Sequence, residues 1–258
     1  MTAIPQGRTR KAALLSAMCA LVVGLGAAGC SEDPDAGTNG VGKLPAKEIQ
    51  TKARTAAGGV DAVRLSGSVV TSGKTYTLDM RLKADGGTGS VTAEGATFHV
   101  LRIGEELYLK ADAAFWNHED GKSDDGGSGK DTATDTDTAA ADKLQGKYVK
   151  VPTGDPSYKK FSGFTDKDLL LDGLLTLHGS LGTDGHHEQS GVRTIRIAGD
   201  GGSGGTLDVS LEGKPYPLRL VRAGGAGTLS FSAWGQDFAL TEPAQDDTVD
   251  YGKQLPTS

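Results

Sequence analysis

Two cysteines stand in the chain, and one of them is placed for chemistry. Cys30 follows the small residues Gly26-Ala27-Ala28-Gly29 and precedes the polar Ser31-Glu32-Asp33-Pro34. Upstream lie the basic Arg8-Thr9-Arg10-Lys11 and an apolar run from Ala12 to Leu25. Basic, apolar and small-residue regions in that order form a secretory signal. A cysteine directly after them is the acceptor for a diacylglyceryl thioether. The peptide is then cut before the cysteine, so Cys30 becomes the first residue, and its new amino group is open to acylation. Cys19 is a poorer acceptor because Met18 before it is not small, and Ala27 stands where leucine is commonest. Each buried lipid CH₂ is worth about 0.8 kcal/mol, so two chains anchor stably where one is marginal. A retained transmembrane helix fits less well: Ala12 to Ala28 is short for a hydrocarbon core of about 30 Å, and Ser16, Gly24 and Gly26 interrupt it.

Other residue patterns with chemical potential fail on context. Gly201-Gly202-Ser203-Gly204-Gly205 fits G-x-S-x-G, and Gly199, Gly201 and Gly204 fit G-x-G-x-x-G, but both lead into a strand pattern. A nucleophile elbow or dinucleotide loop must open a helix. Ser157-Tyr158-Lys159-Lys160 fits S-x-x-K without its companion motifs. His186-His187, flanked by Asp184 and Glu188, reads as a solvated loop, because adjacent residues of an extended segment point to opposite faces. The acids from Asp120 to Asp137 lack the order of a calcium loop. With no convergent acid, base and nucleophile, the expectation is no enzyme, no cofactor and no metal.

Charge narrows the partners. Losing Arg8, Arg10 and Lys11 with the signal leaves 24 basic residues against 33 acidic ones, a net charge of about −9. Nucleic acid is thereby excluded as a partner, since phosphate binding needs a positive field. Cys19 leaves with the signal and Cys30 carries lipid, so stability must come from a core and not from a disulfide.

The rest of the chain reads as one domain between two polar segments. Residues 30–44 are Gly-rich and without apolar period, which predicts a flexible tether. Pro45 to Gly58 predicts a helix stopped by Gly58-Gly59. Period-two alternation then predicts strands at Val63 to Val69 and Lys74 to Lys83, joined through Thr71-Ser72-Gly73, followed by Ser90 to Ala93, Thr97 to Ile103 and Glu106 to Lys110. Residues 117–142 hold eight acids, Lys122 and Lys130 and no branched aliphatic or aromatic residue, so a disordered acidic insertion is expected. A turn and strand follow over Lys143 to Pro152, and Thr165 to Asp168 caps a leucine-rich helix running to Leu177. Strands return at Val192 to Ala198, Thr206 to Leu211, Pro217 to Arg222, Thr228 to Ala233 and Phe238 to Leu240. Domain limits are thus 1–29 for the signal, 30–44 for the tether, 45–251 for the domain and 252–258 for a tail.

This order of features resembles the LppX/LprG-type actinobacterial lipoproteins, relatives of the LolA-like lipoprotein carriers. The resemblance spans nearly all of the chain after Cys30. It rests on Cys30 itself, Leu65-Ser66-Gly67, the strand from Tyr76 to Leu82, Leu107-Tyr108-Leu109-Lys110 with Phe115-Trp116, Lys147-Tyr148-Val149, Tyr216-Pro217-Leu218-Arg219-Leu220 and Phe231-Ser232-Ala233-Trp234-Gly235. The insertion at 117–142 departs from it. The resemblance implies an α+β fold: a strongly curved antiparallel β-sheet, an incomplete barrel, with helices covering its concave face and acyl chains received between the two. It also implies a monomeric carrier of lipids or glycolipids, palmitate-modified at Cys30, held on the extracytoplasmic side of the cell membrane and open to an envelope protein partner. The lipid-binding pocket is then expected at Leu65, Val69, Leu78, Met80, Leu82, Phe98, Val100, Leu109, Leu170 and Leu174. The alternative is an anchored interaction or structural module in which the same residues are ordinary packed core without ligand.

Cys30→Ala is expected to abolish incorporation of labelled palmitate and to release the protein from the membrane fraction. Unchanged label in the variant would contradict lipid attachment.

Overall fold

In a computed structural model, residues 33–112 and 144–250 are described; the signal, Cys30, the acidic insertion at 117–142 and the tail lie outside them. Among the described residues, no helix is long and apolar enough to cross a membrane.

The strands form two meanders joined side by side. β1 (Ala62–Thr71), β2 (Lys74–Lys83), β3 (Gly86–Ala93), β4 (Ala96–Ile103), β5 (Glu106–Ala111) and β6 (Tyr148–Val151) pair antiparallel in sequence order. The chain next passes through α2 (Pro156–Ser162) and α3 (Lys167–Leu174) to the far edge. From there β7 (Leu181–Gln189), β8 (Val192–Gly199), β9 (Thr206–Ser210), β10 (Pro217–Val221) and β11 (Gly227–Ser232) return, until β11 pairs with β1. β12 (Thr248–Asp250) adds to β6 in parallel and completes a twelve-stranded curved sheet that is not closed into a barrel. Ser72-Gly73, Glu94-Gly95 and Ser190-Gly191 form three of the hairpin turns, each with positive φ at both residues. That backbone matches the right-handed twist of the flanking strands.

Alternation along the strands gives the sheet two unlike faces. Ile197, Leu207, Leu220, Leu229, Gly67, Leu78, Val91, Phe98 and Ala111 are successive register partners across nine strands. Phe231, Leu65, Met80, Gly89, Val100, Leu109, Val149 and Val249 form a second row beside it. On the other face, Ser230, Ser66, Asp79, Ser90, His99, Lys110 and Tyr148 form a polar row. The glycines within the apolar rows are required by close backbone approach: a side chain at Gly67, where φ is 135°, would strike Thr228, and one at Gly89 would strike Asp79 and Met80.

Helices cover the apolar face. α1 (Ala46–Gly58) buries Ala46, Ile49, Ala53 and Ala57, spaced three and four apart, and packs by β7, β8 and β10. Three alanines in that row let the helix axis lie close to the strands. α2 and α3 cover β2 to β4 through the turn between them. Asp155 and Asp166 cap the two helices, accepting hydrogen bonds from the backbone of Ser157 and Leu169. Phe161 packs edge-on against Phe98, with ring centroids 5.2 Å apart. Arg102 donates to the hydroxyl of Thr165 at 2.9 Å and to its carbonyl at 3.0 Å, which fastens the α2–α3 turn over the side-chain-free Gly87.

On the polar face, residues 233–247 run as a strap toward β12. Lys83 donates to Asp237 and to the carbonyl of Phe238, and Lys147 donates to the carbonyl of Asp246. The buried Tyr108 donates to Glu242 at 2.9 Å; its burial, reinforced by that carboxylate, pushes the phenol up to about 12.

Four sequence expectations change. Residues 35–44 are not a free tether: Asn39 donates from its backbone to Leu211 and from its side chain to Ser210 and Gly213, and Val41 is buried in the core. His186 and His187 lie in the edge strand β7 and not in a loop; they are consecutive ladder positions, and His186 meets Asp35 at 3.1 Å. Phe238 to Leu240 form no strand, because they belong to the strap that crosses the sheet. The leucine-rich helix is shorter than expected, starting after the Asp166 cap and ending at Leu174.

Gly89→Ala is expected to cost about 2 to 3 kcal/mol in denaturant unfolding, because its new methyl meets backbone in a filled row. Gly182→Ala meets nothing within 4 Å and should change stability by less than about 0.5 kcal/mol. Equal effects would contradict the packing described.

Candidate functional site

The residues expected to line a pocket are brought together. Leu65, Val69, Leu78, Met80, Leu82, Phe98, Val100 and Leu109 are all buried and belong to one cluster, against which the half-buried Leu170 and Leu174 pack. The motifs set aside on context stay apart from any shared site. Asp200 to Gly202 make a short turn between β8 and β9, where the Gly204 amide donates to the Gly199 carbonyl, so Ser203 opens no helix. Ser157 and Lys160 both lie on α2, where the Lys160 ammonium sits over the Phe161 ring, 5.1 Å from its centroid. Among the described residues, no three His, Cys, Asp or Glu side chains group to hold a metal ion.

An open groove does lie on the helical side of the sheet. Thr51, Arg54, Thr55 and Gly58 of α1 face Asp168, Leu171, Asp172 of α3 and Leu175 just beyond it. Each set runs at positions i, i+3, i+4 and i+7, one face of a helix. Two such rows interdigitate when helices pack closely. Here they leave an open cleft of about 570 Å³ between them instead. Leu171 and Leu175, 4% and 1% exposed, form an apolar floor continuous with the core. The rim is polar, from the threonines, Arg54 and the two aspartates.

Few contacts hold the rows together. Arg54 pairs with Asp172 across the groove, and Gln50 of α1 accepts a hydrogen bond from the backbone of Leu177 beyond α3, at 3.1 Å. With side chains 40% and 73% exposed, the ion pair is solvated, and such pairs contribute about 0 to 1 kcal/mol. By contrast, Arg102 fixes the other end of the helical cover through two hydrogen bonds to Thr165. The seam between α1 and α3 is therefore its weaker side. Beside the seam, Leu169 is 64% exposed, a large apolar side chain in water next to Lys167, whose buried ammonium meets Asp168 at 2.6 Å.

No protein-family model matches the chain, and no curated protein is detectably similar in sequence. Architecture is more informative. The crystal structure of LprF from Mycobacterium bovis superposes with a TM-score of 0.50 at 16% identity, covering 78% of this chain and 99% of LprF. The chain has the fold of LprF. That is the curved, open sheet with few helices that the sequence resemblance implied. The Mycobacterium tuberculosis lipoprotein LppX, at 14% identity and a TM-score of 0.41 over 76% of this chain and 99% of its own, is too distant to argue from. So is an uncharacterized conserved protein from Thermus thermophilus, at 12% identity and 0.34 over 80% and 98%.

The leucine-rich helix is legible in the sequence but the groove is not: Leu170 and Leu174, expected at the pocket, pack against the core, and Leu171 and Leu175 line the groove. Adjacent leucines at 169–171 and 174–175 leave the phase of the helix open. The missing signal was the match of two rows at the same spacing, with Arg54 in one and Asp172 in the other.

Arg54→Ala is expected to lower stability by less than about 1 kcal/mol, and Leu171→Ala by about 2 to 5 kcal/mol. Denaturant midpoints that fell equally would contradict a solvated pair above an apolar floor.

Proposed function

We propose that the chain is a lipoprotein anchored through Cys30 on the extracytoplasmic side of a membrane, whose domain binds an acyl lipid or glycolipid between sheet and helices. The observation that carries this reading is the groove of about 570 Å³ between α1 and α3, whose leucine floor belongs to the core. Small-molecule sites are concave, of about 300 to 1,000 Å³, mostly apolar, with a few polar groups at fixed places. An acyl chain entering over Leu171 and Leu175 continues into the rows of Leu78, Met80 and Leu82 as the seam widens. The polar rim is left for a headgroup. Opening takes place at the Arg54–Asp172 pair, where little free energy opposes it, and the Arg102–Thr165 contact acts as the fixed end. The LprF fold and the signal before Cys30 support the same reading. Binding and release need no covalent step, and no residue is assigned a catalytic role.

A second reading, a packed module without ligand, draws on the burial of all eight named sheet residues. The two diverge at the exposed Thr55, which faces the groove without belonging to the core. Thr55→Trp is expected to leave unfolding within about 0.5 kcal/mol of the parent. It should reduce binding of a fluorescent phospholipid about tenfold, or about 1.4 kcal/mol. A parent that binds no such probe and carries no copurified lipid in native mass spectrometry would favour the module.

A further inference from the structure

Residues 35–44 carry information about reach. The Asp35 carboxylate meets His186 of β7 at 3.1 Å, and the carbonyl of Ala36 accepts from Arg193 of β8 at 3.2 Å. The Asn39 amide donates to Leu211 at 2.8 Å, and its side chain donates to Ser210 at 2.9 Å and Gly213 at 3.2 Å. Val41 is then buried in the core cluster, and a side chain at Gly42 would strike Asp35 and approach Leu211. This clasp joins three consecutive strands, β7, β8 and β9, to the segment that leads into α1. It is too well bonded to act as spacer.

We infer that the clasp makes the anchor a short leash, which holds the β7–β9 edge of the domain close to the bilayer carrying the lipid on Cys30. The inference rests on the proposed lipid attachment. Five Cα-to-Cα steps lead from Cys30 to Asp35, about 18 Å at full extension, against about 50 Å for the fourteen steps that a free segment up to Leu44 would supply. A domain so held exchanges lipid with the leaflet it is anchored in and does not shuttle to a distant one. Any onward transfer is to a partner that comes to the domain.

The test uses the full chain, lipid-modified in a bacterial host and reconstituted into phosphatidylcholine vesicles. Cys19 is removed with the signal and Cys30 is blocked by its thioether, so Lys214→Cys, next to Gly213 of the clasp, provides a single site for a fluorescent donor. The acceptor is a headgroup-labelled phospholipid. Energy transfer is compared with that of a chain carrying a fourteen-residue Gly/Ser spacer between Asp33 and Pro34. The leash predicts strong transfer that falls about twofold or more with the spacer. Lipid-modified protein whose transfer is the same with and without the spacer overturns the leash and leaves the anchor standing. Protein with no lipid mass on Cys30 overturns the anchor, and the leash with it.

Discussion

Two uninterrupted apolar rows on one face of a curved sheet, nine and eight strands wide, must be taken out of water, and the rest of the structure is arranged around that burial. Apolar surface contributes roughly 25 cal/mol per Å² when buried, and this is the dominant favourable term in folding. Among the described residues, three short helices do the covering. Ile49 and the alanines of α1 shield one half, and Phe161 and the Arg102–Thr165 contact settle α2 and α3 over the other. What the helices cover imperfectly is their own boundary. The groove is the consequence of covering a wide sheet with two separate helical units.

Electrostatic contacts decide where that cover is firm and where it yields. Arg196 and Asp208 form a two-fold hydrogen-bonded pair on the polar face, with Asp208 almost fully buried. Removing either partner there would strand a charge. Arg54 and Asp172 are solvated, so their separation costs little. The difference lies in burial and not in residue type. The Arg196–Asp208 pair is therefore the firmer contact, and the Arg54–Asp172 pair at the seam between α1 and α3 the weaker one.

Much of the fold was legible because alternation and turn glycines are local signals. β2 runs from Lys74 to Lys83 as its pattern requires, and Ser72-Gly73 marks the turn before it. β7 was invisible for the same reason: Leu-Gly-Thr-Asp-Gly-His-His-Glu-Gln has no apolar period, and a shift in register between Thr183 and His186 breaks what period there is. α2 is not legible although Asp155-Pro156 is a sound helix start, because a helix of seven residues that buries Phe161 shows no apolar period. The clasp and the groove depend on partners far apart in sequence, Asn39 with Ser210 and Arg54 with Asp172. Composition reports that Asn39 lies in a polar, Gly-rich stretch; only the folded strands supply the carbonyls it bonds.

The central claim is that acyl chains lie between α1 and α3 over the leucine floor. Its most direct measurement is isotope-filtered NMR of the domain loaded with an unlabelled phospholipid, observing cross-relaxation from acyl methylene protons to the protein's methyl groups. The account predicts signals at Leu171 and Leu175, extending to Leu78 or Leu82, and none at Leu101, the register partner of Tyr108 on the strap-covered face. Contacts confined to Leu101 and its neighbours, or retained lipid with no contact to Leu171 and Leu175, would contradict it.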